Sequence, residues 1–228
     1  MWTLALASAF FLFIHLMISA TSLKDRVIEK IGGTAYYILF SLLSIGGLIW
    51  LCVAFGMALG DPMNYALWNS GPFLRVIGIA GNFLAFLLVV MGYTTPSATS
   101  LPALWHMPEK PVYGIIRITR HPVLAGIGIW ALTHMICNGN LAAWIFFGSL
   151  LALCGLGANT IDRKRMTLMG DVYASIMRRT SIVPFVAIIE GRIAFDAKEL
   201  GVVRPLLAVS MFSVFLTLHE LLFTVRAF

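Results

Sequence analysis

Six apolar stretches alternate with short polar segments along this 228-residue chain, at 2–21, 36–59, 72–93, 122–138, 141–161 and 203–224. Crossing a hydrocarbon layer about 30 Å thick takes ~20 apolar residues in a helix, so the pattern predicts about six transmembrane helices. The fourth stretch is the shortest. It opens at His121-Pro122, where proline suits a first helical turn whose N–H groups have no intrahelical partner. It closes at Asn138-Gly139-Asn140, a tight turn that makes it a hairpin with the fifth. The first stretch carries no basic residues ahead of it, so it reads as a retained span rather than a cleaved leader. One further apolar run, within 180–192, is too short to span and contains Pro184. It follows a short polar helix ending at Arg178-Arg179 and is expected to lie on the membrane interface or dip into it.

Composition supports this pattern. The chain is 60% hydrophobic and 11% charged, with a mean hydropathy of +0.91, whereas soluble domains carry roughly 25% charged residues. The fold expected is an all-α polytopic membrane bundle in one domain over 1–228. No length is left over for a soluble domain, and the net charge of +6 is no sign of nucleic-acid binding.

The placement of the charge sets an orientation. Lys24, Arg26 and Lys30 follow the first span, Lys110, Arg117 and Arg120 precede the fourth, and a long basic series from Arg163 to Arg204 separates the last two. The other side holds Arg75 and Arg226. Basic loops favour the cytoplasm, which puts both termini outside and fits a bacterial inner membrane. Trp2, Tyr65 and Trp68 suit an outer aromatic belt, and Trp105, among Pro96, Pro102, Pro108 and Pro111, suits the inner interface.

Candidate chemistry centres on Arg117-Ile-Thr-Arg-His-Pro122. Arg117, Arg120 and His121 are expected at the water boundary, where cations beside free helix N–H groups can hold a carboxylate or phosphate. Asp162 and Arg165, three apart, can pair on one helix face. Four of the five histidines, His15, His121, His134 and His219, fall at membrane depth, where ionisable groups tend to face the bundle interior and mark function. His121 and His134 are ~20 Å apart along one helix and cannot share a metal. His15 with His121 at an inner depth, and His134 with His219 at an outer one, are two possible axial pairs for a haem. The basic rim would meet haem propionates or phospholipid headgroups. Zinc motifs are absent, and Cys52, Cys137 and Cys154 read as small buried hydrophobes.

Several blocks carry a family resemblance. They are His15, Ser19 and Arg26; Arg117 to Pro122; Trp130-Ala-Leu-Thr-His134 with Asn138-Gly139; Ile161 to Arg165; and Ser181 to Phe185 with Gly191-Arg192. On these the chain resembles the NnrU family of bacterial membrane proteins over nearly its full length, a family linked to nitrite and nitric oxide metabolism in denitrifiers. That family also resembles 15-cis-zeta-carotene isomerase, a haem b membrane enzyme that works when its iron is reduced. The resemblance implies haem b, a ligand role for His15, a lipophilic substrate and a redox partner. It departs at Leu153–Ala158, which holds no histidine where the isomerase carries a pair.

A more distant resemblance links Gly114, Arg117, Arg120-His121-Pro122, Gly126, Gly170-Asp-Val-Tyr173 and Pro184 to isoprenylcysteine-type membrane methyltransferases. It implies S-adenosylmethionine, with Arg120 and His121 clamping its carboxylate and Asp162 and Tyr173 as further contacts. A non-enzymatic role in assembling a larger membrane complex is the third expectation.

Overall fold

A computed structural model describes residues 1–18, 21–99 and 110–223. The expectations for Ser19, Pro102, Trp105, Pro108 and Arg226 lie outside the described residues. Among those described, the regular structure is helical apart from one isolated bridge between Ala66 and Asn140.

The apolar stretches become helices close to where the hydropathy put them. The first divides into α1 (Trp2–Phe13) and a π-helical turn, Ile14–Ile18, which contains His15. A short amphipathic helix, α2 (Leu23–Ile31), leads into α3 (Gly33–Leu59), and α4 (Pro72–Thr94) follows. After one turn of helix, α5 (Ile115–Ile118), come the hairpin helices α6 (Pro122–Asn138) and α7 (Leu141–Met169). The polar helix is α8 (Asp171–Arg179), and the interfacial run contains α9 (Val186–Ile189). A 3-10 turn, Ala197–Leu200, precedes the final helix, α10 (Val203–Phe223).

Four of these helices, α3, α4, α7 and α10, are long and apolar enough to cross a membrane, and the bent pair of α1 with its π turn and α2 makes a possible fifth. Helix α6 has 17 residues, short of the ~20 that cross a bilayer. The chain is thus a multi-pass membrane helical bundle. Helix α7 outruns its apolar stretch by two turns, because 162–169 continue the helix with polar residues.

Packing runs in the order α10, α4, α6, α7, α1, α3, with α3 also reaching α7. One core joins Leu4, Ala7, Phe11 and Ile14 to Leu51 and Ala54 of α3 and to Ala142, Ala143, Phe146 and Leu150 of α7. Helices α4 and α6 meet at small residues. A Cβ on Gly126 would come within 2.8 Å of the Ala85 carbonyl oxygen and 3.0 Å of the Val89 nitrogen, so only glycine lets the backbones approach this closely. The hairpin turn closes as expected. Gly139 has φ +58°, its carbonyl accepts the N–H groups of Leu67 and Trp68 at 2.6 and 3.2 Å, and the Asn140 side chain caps α7 at the Ala143 N–H. The Trp68 indole donates to the Ile136 carbonyl at 2.9 Å.

A second core collects Leu88, Met91, Ile115, Ile116, Tyr173, Ile176 and Ala187 at the basic end of the bundle. There the 180–192 segment folds back on α5. The Arg120 N–H donates to the Ser181 carbonyl, the Thr119 hydroxyl to the Ile182 carbonyl, and the Phe185 N–H to the Ile118 carbonyl, at 2.7–3.0 Å. Its Val183 and Ile189 stay exposed.

Candidate functional site

The basic end is organised by one carboxylate. Asp162, on the polar extension of α7, accepts both Nε and Nη2 of Arg120, with its shortest contact 2.6 Å. It also accepts His121 Nε2 at 2.7 Å and the Tyr173 hydroxyl at 2.6 Å. Relative exposures are 5% for Asp162, 7% for Arg120, 3% for His121 and 0% for Tyr173. A buried ion pair survives only when its remaining donors and acceptors are met, and here they are. Arg120 Nη1 donates to the Thr180 carbonyl at 3.3 Å, and Arg192 reaches the same oxygen at 2.6 Å. Burial and the bond to Asp162 push the Tyr173 phenol above its ordinary pKa.

This corrects two expectations. Arg120 and His121 do flank the start of α6, with His121 at its N-cap and Pro122 at its first position, but they are buried within the protein and closed to an external anion. The anion Arg120 meets is Asp162. Asp162 in turn takes Arg120, His121 and Tyr173 rather than Arg165, because α5, α7 and α8 converge on it. Arg165 stands one turn further along α7, with its charge felt by Tyr173.

Arg117 belongs to a separate and more open group. Its Nε and Nη2 donate to the two carboxylate oxygens of Glu199 at 2.6 and 2.7 Å, and its Nη1 donates to the Ala194 carbonyl at 3.0 Å. The Gly114 N–H completes Glu199's shell at 2.8 Å, from a backbone with φ +56°. The guanidinium holds Glu199 down at about 2 and is itself raised. Nothing in the hydropathy pattern singled out Glu199. Its one signal was that only Asp196 and Glu199 carry negative charge between Arg192 and Arg204.

The histidines differ in what holds them. His15 donates through Nδ1 to the Phe11 carbonyl, 2.8 Å away, and packs between the rings of Phe11 and Phe40. His134 holds the Trp130 carbonyl through Nδ1 at 2.8 Å, against Trp130 and Phe147. A carbonyl at Nδ1 fixes the proton there and leaves Nε2 with a lone pair, the form in which a histidine binds a metal. His121 differs, since its Nε2 is committed to Asp162. The inner pair of His15 and His121 therefore does not offer two open Nε2 atoms. His134 lies on α6 and His219 on α10, two helices that each pack against α4. Among the described residues, no group of three or more His, Cys, Asp or Glu could hold a metal ion.

Comparison with known proteins completes the assignment. The family model described as "NnrU protein" matches residues 3–227. The chain belongs to the NnrU family. It is also 31% identical over 174 residues to the chloroplastic 15-cis-zeta-carotene isomerase of Arabidopsis thaliana, and 30% identical over 182 residues to that of Zea mays. Each alignment covers 75% of this chain and 46% of the relative, so the chain spans about half the length of the curated relatives it matches. No solved structure matches.

Proposed function

We propose that this NnrU protein is a haem b-dependent membrane enzyme that isomerises a double bond in a lipophilic polyene. The observation that carries the reading is the similarity to two 15-cis-zeta-carotene isomerases, each over three quarters of this chain. The histidines are compatible with it. His15, with Nδ1 held by the Phe11 carbonyl, has the tautomer in which a histidine could hold a metal, and so has His134. A haem held there would supply a reducible iron. His15 would hold it, the Phe11 carbonyl would keep the ring oriented, and Phe11 and Phe40 would exclude water from the imidazole. His134 with His219 is the outer alternative. A substrate of this kind would arrive through the lipid, past the exposed apolar faces of α3 and α10.

Dithionite-reduced and oxidised absorption spectra of the purified protein test the proposal, followed by conversion of 15-cis-zeta-carotene under reducing conditions. We expect about one haem per chain, lost on His15→Ala, and isomerisation only in the reduced state. A colourless protein after haem-supplemented expression would remove the reading. Haem without isomerisation would turn it towards electron transfer to a redox partner in nitrite or nitric oxide metabolism.

The methyltransferase reading is less well supported. Its clamp needs Arg120, His121, Asp162 and Tyr173 to face a ligand, and these four bind one another in a buried cluster. Retention of S-adenosylmethionine by the purified protein would revive it. Absence of both ligands would favour a structural role in assembling a membrane complex.

A further inference from the structure

We infer that the open cleft beside Arg117 is a binding site for the phosphate of an anionic lipid headgroup. The inference is independent of any haem or isomerase chemistry.

The cleft has a volume of about 330 Å³ and is lined by Lys110, Pro111, Val112, Arg117, Arg179 and Glu199. Three cations therefore face a single carboxylate, and that carboxylate is already committed. Both oxygens of Glu199 are taken by Arg117, and one also by the Gly114 N–H. The Arg117 fork is locked by Glu199 and the Ala194 carbonyl, so it forms a fixed wall. Lys110 and Arg179 are both exposed and make no hydrogen bond within the described residues. Their charges are the uncommitted ones. Two such cations over a preset ion pair can share the oxygens of one phosphate, which is a better acceptor for them than water.

Position selects the source of that phosphate. Arg179 ends α8, and Glu199 lies in the turn leading directly into α10, an apolar helix of spanning length. A group at the end of a membrane helix sits at headgroup depth, where lipid phosphate is concentrated. Pro111 and Val112 add an apolar wall of the kind a glycerol backbone or the first methylenes would cover. The volume is near the lower end for a small-molecule site and matches a headgroup better than a whole lipid.

The test uses the full chain in nanodiscs of phosphatidylcholine alone or with phosphatidylglycerol or phosphatidic acid, with bound lipid read by native mass spectrometry. Wild type should retain an anionic lipid through a stringent detergent wash and release phosphatidylcholine. Lys110→Ala and Arg179→Ala should each lower retention about fivefold, the effect of one surface cation on anionic lipid, and Arg179→Glu should abolish it. Arg163→Ala and Lys30→Ala remove equal charge elsewhere and should leave retention unchanged. Equal losses in these controls would overturn the proposal in favour of diffuse surface charge. Inorganic phosphate binding with no lipid retained would overturn the lipid as its source. Because Lys110 and Arg179 hold no other part of the fold, a normal elution profile for their variants is expected, and the charge reversal provides a second readout.

Discussion

Asp162 and His121 meet at 2.7 Å although 41 positions separate them. Together with Arg120 they tie α7 to the start of α6 in a buried cluster. Removing the carboxylate would leave Arg120 buried with half of its partners gone. Asp162→Ala should therefore destabilise the protein by ~3–5 kcal/mol, the usual cost of breaking a buried pair from one side. Thermal unfolding in detergent, followed by circular dichroism, reads this. A variant melting with wild type would mean that the cluster contributes little to the fold.

Tyr173 is the milder probe of the same cluster. Tyr173→Phe keeps the ring in its core and removes one donor from Asp162, which retains Arg120 and His121. A loss of about 1.5–3 kcal/mol is expected, as for a hydrogen bond to a charged group. Its cost should also shrink in an Asp162→Ala background, since the partner is then gone. Additive losses in that double-mutant cycle would show that Tyr173 acts through packing alone.

Acid should loosen the Arg117–Glu199 contact. Glu199 is held at about 2 in the folded protein, below its unfolded value of about 4.3. A carboxylate with a depressed pKa stabilises above its unfolded pKa, and that contribution disappears as pH falls towards the folded one. Between about pH 4.5 and 2, wild type should lose melting temperature more steeply than Glu199→Gln. The difference should shrink in high salt, because the pair is partly exposed. Parallel pH profiles would contradict the assignment.

Two glycines should respond oppositely to the same change. Gly126→Ala drives a methyl into the α4 backbone at Ala85 and Val89, and backbone cannot turn aside as a side chain can. It should cost ~1–3 kcal/mol. At Gly155, on α7, nothing lies within 4 Å of the added Cβ, so alanine there should be neutral or slightly stabilising. Comparing the two unfolding curves tests whether α4 and α6 are in contact at Gly126.

Most of the spans were legible because an apolar run of fixed length is a local property, though four or five helices rather than six are long enough to cross and α6 falls short; the α6–α7 hairpin was legible because proline, asparagine and glycine mark its ends. The candidate site was legible only in membership. Arg120, His121, Asp162 and Tyr173 were all singled out, but as a clamp for an external ligand or as a rim. Their mutual closure depends on three helices converging, and no spacing along the chain reports that. Arg165 was the nearest partner in sequence for Asp162 and lost to Arg120, 42 positions away. Glu199 went unnoticed because its significance comes entirely from Arg117 and Gly114, both more than 80 residues upstream.

The order in which the helices pack differs from the order in which they are made. The buried face of α1, at Leu4, Ala7 and Phe11, rests on α3 and on α7, and α7 begins only at Leu141. While the chain is being synthesised, the first helices must therefore wait in lipid with the face that α7 will cover still bare, until some 80 further residues have followed α3 out of the ribosome. Assembly of the amino-terminal half is thus governed by the arrival of the hairpin, and a chain stopped before Leu141 should insert without ever consolidating its first core.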